Sequence, residues 1–245
     1  MPRRSFCALL LATAPLAAAA TADAVTEYTA TYAVALDDSP AGTLVRTLRR
    51  EPDGRYIFES ETRATRGWYR LLGLVIEEKS TWTLEAGQLR PLSYSYQQSG
   101  PRGRSLSMEF DWRQGMLRQH GGKHERETPL IPHVLDKQLY QYALMRDLAA
   151  GSPVLDYAVA EDGEIKTYHL KRAGAERLVT PLGDLETIRV ERRKEGSRRA
   201  TTLWCAPVLH YLPVRLDHVE KDGQRTSALI QSLNGMAPAP LAAGK

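Results

Sequence analysis

His120 and His124 stand four residues apart, the spacing at which two imidazoles on one helical face can share a metal ion. Gly121 and Gly122 lie between them, and two adjacent glycines oppose a helix, so the pair reads as a solvated hairpin loop without a third ligand nearby. His133, His169, His210 and His218 are scattered singly. For nucleophilic catalysis the chain offers no Gly-x-Ser-x-Gly elbow. Cys205 sits in the alternating run Thr201-Thr202-Leu203-Trp204-Cys205, with no cation close in sequence to favour its thiolate. No glycine-rich loop opens a helix, and the carboxylate pairs Glu77-Glu78 and Glu125/Glu127 read as turn and edge charges. The sequence therefore nominates no catalytic residue, no metal ligand and no cofactor. It leans against an enzyme, although a site assembled from distant strands would leave no local motif.

Two other clusters suit contact with amphiphiles. In the stretch 67–76 the pair Trp68 and Tyr69, flanked by Arg66 and Arg70, interrupts an alternating pattern. It reads either as a hydrophobic lip at a cavity mouth or as a buried bend between two strands. Arg192, Arg193, Lys194, Arg198 and Arg199 surround one hairpin tip and can meet the anionic groups of an envelope surface; a solvated tip that blunts aggregation is the alternative. Tyr140, Tyr142 and Leu144 complete the candidate ligand-binding set, because a cavity between a helix and a concave sheet would expose them.

The elements that must position these groups follow a period of two. Tyr28, Ala30, Tyr32, Val34 and Leu36 share one side of the first segment, and Leu106, Met108, Phe110 and Trp112 alternate with Ser105, Ser107, Glu109 and Asp111. Similar runs occupy 56–63, 74–84, 89–97, 155–160, 165–171, 185–193, 201–205, 214–220 and 226–233. Asp53-Gly54, Asp162-Gly163 and Asp222-Gly223 punctuate them, with Ala86-Gly87, Gln114-Gly115 and Glu195-Gly196 as weaker marks. Asx-Gly supplies the positive φ of a tight hairpin, and connections this short go with antiparallel pairing. The count is about seven strands before residue 120 and about seven after 152.

One segment departs from alternation. Over 136–150 the residues Leu139, Tyr140, Tyr142, Ala143, Leu144, Met145 and Leu148 fall at helical spacing, with Asp136 as N-cap, Gly151 as C-cap and Pro153 just beyond. The apolar residues cover most of its circumference, which calls for a helix clasped by sheet. The stretch 128–133 reads as an extended linker ahead of it. We expect one mainly β domain over 25–233: a strongly curved antiparallel sheet or incomplete barrel wrapping one α-helix, with a β-sandwich as the alternative. The Ala/Pro-rich segment 234–245 reads as a disordered tail.

Residues 1–24 carry Arg3 and Arg4, an apolar run from Phe6 to Leu16 and small-x-small sites ending at Ala22 and Ala24, the pattern of a cleaved signal peptide. Cys7 precedes the apolar run, which argues against a lipid anchor, so the expected location is the periplasm and the expected mature form unlipidated. After residue 24 no stretch approaches the roughly 20 apolar residues of a membrane-spanning helix. With 33 Lys and Arg against 29 Asp and Glu among 245 residues, the charge is too mild to imply a nucleic-acid partner.

The C-terminal half carries Thr180-Pro181-Leu182-Gly183-Asp184-Leu185-Glu186-Thr187, then Leu203-Trp204-Cys205-Ala206-Pro207, Tyr211-Leu212-Pro213-Val214-Arg215 and the Asp222-Gly223 hairpin. Together with Tyr28 and Tyr32, Leu89, Pro91 and Tyr94, and the Asp136 that starts the helix, this layout resembles the Gram-negative envelope family carrying the domain of unknown function 3108. The resemblance implies a periplasmic, mostly β protein and brings no catalytic residues. The leading functional expectation is a binding or carrier module for an apolar or amphiphilic envelope molecule, a lipid among them. A protein-interaction or envelope-assembly factor with an envelope protein partner comes second, and an enzyme last.

Overall fold

Among the described residues, fourteen strands form one antiparallel sheet. The computed structural model describes residues 25–100, 102–122, 125–193 and 196–239. The first half of the chain contains β1 (Tyr28–Leu36), β2 (Ser39–Arg50), β3 (Tyr56–Ala64), a short helix α1 (Gly67–Leu71), β4 (Val75–Glu85), β5 (Gln88–Ser99), β6 (Arg104–Asp111), β7 (Met116–Gly121) and β8 (Arg126–Pro129). After α2 (Leu139–Ala149) come β9 (Leu155–Glu161), β10 (Glu164–Thr180), β11 (Gly183–Arg193), β12 (Ala200–Ala206), β13 (Leu212–Val219) and β14 (Arg225–Asn234). Sequence neighbours pair by hairpins, and β1 pairs with β14, so the order runs from β8 to β1 and then from β14 to β9.

The two edges, β8 and β9, do not pair with each other, and the barrel stays incomplete. The linker fills the seam between them. Leu135 donates its N–H to Ala158 O at 2.8 Å and accepts from Ala160 N at 2.8 Å, while the Thr128 hydroxyl donates to Gly163 O at 2.6 Å and Arg126 pairs with Glu164. Beneath it Tyr94, Leu106, Met108, Phe110 and Leu117 of the first half bury against Val134 and Ala160. The sheet is therefore the curved, helix-wrapping form and not a sandwich.

The helix lies inside that curve. Asp136 caps it from one turn ahead, its Oδ1 accepting from Gln138 N at 2.8 Å and Leu139 N at 2.9 Å. Gly151, at φ +68°, ends it with a bond from its N–H to Leu148 O. Buried residues occupy nearly every position from Leu139 to Met145. The walls reach it from many sides: Arg46 of β2 binds Gln141, Ser60 of β3 and Glu78 of β4 bind Gln138, and Tyr157 of β9 binds Asp147.

Several details differ from the pattern. β2 and β7 were not marked by clean alternation, β2 because Arg46 stands in its inward phase, and part of the expected linker forms β8. β10 is one strand of 17 residues, where the pattern stops at Lys171. Gly174, at φ +105°, sits in the register shift between Arg172 and Ala175, so the strand bends, pairing with β9 before the bend and mainly with β11 after it. The Trp68-Tyr69 stretch is neither strand nor buried bend; it is the exposed α1, entered through Gly67 at φ +65°. Beyond β14, Met236 is buried and Ala239 N donates to Val208 O at 2.7 Å, so packing continues past the expected start of the tail. Residues 1–24 and 240–245 lie outside the described residues.

Candidate functional site

Antiparallel pairing gathers the turns at two ends of the curved sheet. One end carries the β4–β5, β2–β3 and β10–β11 turns; the other carries α1, the β9–β10 turn at Asp162-Gly163, and the β11–β12 and β13–β14 connections. α2 fills only the first. Its C-terminal half points there, with Arg146 donating to Gly87 O at 3.0 Å in the β4–β5 turn. Around it Trp82 is fully buried, stacked on Tyr56 at 4.5 Å between ring centroids and tilted against Tyr142 at 5.4 Å. Leu139 and Leu144 are likewise 0% exposed.

The other end is open. Between the N-terminal turn of α2 and the walls lies a cavity of about 570 Å³. Its lining is set by register: Arg46, Ser60 and Glu78 are cross-strand neighbours on β2, β3 and β4, and the next inward layer toward the packed end is Leu48, Phe58 and Ser80. Lys137, Gln138, Tyr140 and Gln141 form the floor from the helix side, and Glu161, Tyr168, Arg192 and Leu203 come from the far wall. The chamber is mixed: charged and polar side chains share its lining with Leu44, Leu203, Leu216 and Ala228.

Its electrostatics divide into satisfied and unsatisfied groups. Burial pushes the Glu161 carboxyl up, but the Lys137 and Lys166 ammonium groups at 3.8 and 3.2 Å outweigh it and hold it below its usual range. Arg199 pairs with Glu220 at 2.9 Å. Glu78 accepts from Tyr94 Oη and Gln138 Nε2, both at 2.9 Å, and burial together with that carboxylate pushes the Tyr94 phenol far up, keeping it a donor. Asp136 is wholly buried below Ser80. Burial raises it to about 6 against the bonds from Ser80 and from the backbone N–H groups of Leu139 and Gln138. His218, on the wall beside Thr201 and Glu220, is lowered by burial.

The sequence candidates separate. Tyr140, Arg192 and Arg199 line the cavity. Trp68 and Tyr69 lie on α1 at the same end, outside the cavity lining, 68% and 42% exposed, followed by exposed Leu71 and Leu72. Arg193 lies with Arg192 along a lateral groove of about 990 Å³ beside the start of β10, where β10 pairs with β9 but not yet with β11. Arg198 is in the same β11–β12 connection, and Lys194 lies outside the described residues. Tyr142 and Leu144 are packed into the filled end, away from the cavity. Cys205 is completely buried, which pushes its thiol up to about 12, and His120, exposed near the end of β7, lies 3.8 Å from Glu125. His124 lies outside the described residues.

Residues that pattern reading passed over do most of the lining. Arg46 carried a signal, since Leu44, Arg46 and Leu48 share one phase and a cation there breaks an apolar face. Glu78, read from sequence with Glu77 as a turn or edge charge, instead lies within β4, paired on both sides and facing the cavity, and Gln138 carried no signal until the helix was set beside β4.

A family model described as protein of unknown function (DUF3108) matches residues 27–230. No curated protein matches the chain. Among solved structures, the β-barrel-like protein of domain of unknown function DUF1849 from Brucella abortus is 9% identical with a TM-score of 0.55, over 86% of this chain and 98% of that one. A protein from Parabacteroides distasonis described as a putative lipoprotein is 8% identical with a TM-score of 0.35, over 86% and 96% of the two chains. The first of these supports the barrel-like architecture. No described helix is long and apolar enough to cross a membrane.

Proposed function

The chain belongs to the DUF3108 family, and for this member we propose a binding or carrier module of the cell envelope that receives an amphiphile at the open end of its barrel. The observation that carries this reading is the uneven filling of one curved sheet: α2 occupies one end and leaves a cavity of about 570 Å³ at the other. A wholly apolar cargo fits such a chamber poorly, because hydrocarbon against Arg46, Glu78 and Lys137 would strip water from charges without replacing its hydrogen bonds. The polar head of an amphiphile suits it. Trp68, Tyr69, Leu71 and Leu72 at the same end then offer apolar ground for the chain that leaves the cavity. Work in the periplasm fits the leader-like pattern of residues 1–24.

The same exposed α1 patch favours a second reading, an envelope-assembly factor that docks a protein there. Native mass spectrometry of protein purified from a Gram-negative periplasm tests the two. An amphiphile should accompany the wild type and be depleted in Thr62→Trp, a substitution that narrows the cavity from the β3 wall. Wild-type protein that carries no small molecule and instead retains a protein partner would replace the carrier with the assembly factor.

A further inference from the structure

We propose that the open cavity is an anion site, in which Arg46 and Arg192 receive the phosphate or carboxylate group of the ligand. This rests on the reading of the open end as a binding site and names the chemistry it holds.

Arg46 is the decisive residue. Register places it between Ala30 of β1 and Ser60 of β3 on the inward face, and it is only 8% exposed. Its Nη1 donates to Gln141 Oε1 at 2.8 Å and its guanidinium lies 5.9 Å from the Tyr32 ring centroid, but its Nε is buried without a partner. Among the described residues no carboxylate is within ion-pairing distance of it. A guanidinium this deep is costly unless an anion accompanies it. The protein treats another arginine in the ordinary way: Arg215, less buried, makes two bonds of 2.9 Å to Asp217.

The cavity's acids are already engaged. Glu161 belongs to Lys137 and Lys166, Glu220 to Arg199, Asp217 to Arg215 and Arg225, and Asp162 approaches Arg104 at 4.0 Å. Glu78 is held by the neutral donors Tyr94 and Gln138, and it opposes an incoming anion from one strand beyond Ser60. Against Glu78 stand two cations that form no ion pair among the described residues: Arg46, and Arg192, whose charge also bears on Glu161. The Arg192 guanidinium carbon lies 3.6 Å from the Tyr168 ring centroid and a side-chain hydrogen bond joins the two residues, which leaves the other N–H groups of the guanidinium for an anion. Tyr140 joins the two. Burial raises its phenol, Arg192 and Arg46 pull it down and Glu78 and Glu161 push it up, so the hydroxyl, in the cavity lining, keeps its proton and can donate to the same anion.

The test is calorimetric titration of the full protein with dodecyl phosphate, dodecyl maltoside and inorganic phosphate, below the micelle concentration. Wild type should bind dodecyl phosphate about tenfold or more tighter than dodecyl maltoside, and Arg46→Met and Arg192→Met should each close most of that gap. Thermal stability of Arg46→Met should be unchanged or raised, where a purely structural arginine would lower it. Equal binding of the two detergents by wild type, or an intact gap in both variants, overturns the anion site and leaves the carrier reading standing. Inorganic phosphate bound as tightly as dodecyl phosphate keeps the anion site but replaces the amphiphile by a small free ion. If none of the three binds, both ideas fall.

Discussion

The two ends of the barrel are built by the same strands, yet their inward phases carry different chemistry. Along β3 the inward residues run Phe58, Ser60, Thr62, and along β4 Trp82, Ser80, Glu78, from the packed end to the mouth. Toward the packed end Phe58 and Trp82 bury apolar surface near α2, with Ser80 between them held by Asp136. At the mouth only the N-terminal turn of α2 is present, and Ser60, Thr62, Glu78 and Arg46 enter the same phase among the apolar Leu44, Leu203, Leu216 and Ala228. A sheet needs its inward face apolar only where something apolar covers it. The contrast teaches that stability is concentrated at one end, and that the side chains of the other answer to what enters the cavity.

The largest effect should come from the packed end. Leu144→Ala removes a side chain that is 0% exposed and should cost about 2 to 5 kcal/mol in urea unfolding. A midpoint that does not move would break the contrast.

Asp136 sits at the boundary and gives it a pH signature. Its folded value of about 6 lies above the ordinary 3.8, so the folded state holds this proton over a range where the unfolded chain releases it. Its contribution to stability is full below about pH 4 and is lost as pH rises through about 6, amounting to about 3 kcal/mol. Asp136→Asn keeps an acceptor for the helix N–H groups and a donor for Ser80, and should flatten this fall. Stability curves from pH 4 to 7 that coincide for the two proteins would remove Asp136 as its source.

A smaller effect is expected where the helix meets β9. Tyr157→Phe deletes a hydrogen bond of 2.7 Å to Asp147 and should cost about 1 to 2 kcal/mol, read by the same denaturation. At the mouth, Thr62→Ala should stay within about 0.5 kcal/mol of wild type, since Thr62 makes no core contact of consequence. A cost there comparable to Leu144→Ala would show that the open end is structural after all.

Local chemistry in the sequence was enough for the class of fold. Alternation gave Tyr28 to Leu36 and Leu106 to Trp112 as strands, Asp-Gly pairs gave the hairpins, and the run from Leu139 to Leu148, apolar on most sides, required a surrounding sheet. These features are legible because each depends on residues within a few positions of one another. The cavity does not. Arg46, Glu78, Gln138 and Arg192 are far apart in the chain and meet only because β1 pairs with β14 and because α2 stops midway along the barrel. Tyr140 and Tyr142, two residues apart, illustrate the limit: sequence treats them alike, while the helix turns one into the open chamber and the other onto Trp82. Periodicity determined which face of each element is apolar; only the register of distant strands and the depth of the helix decided where that face is covered and where it opens to a ligand.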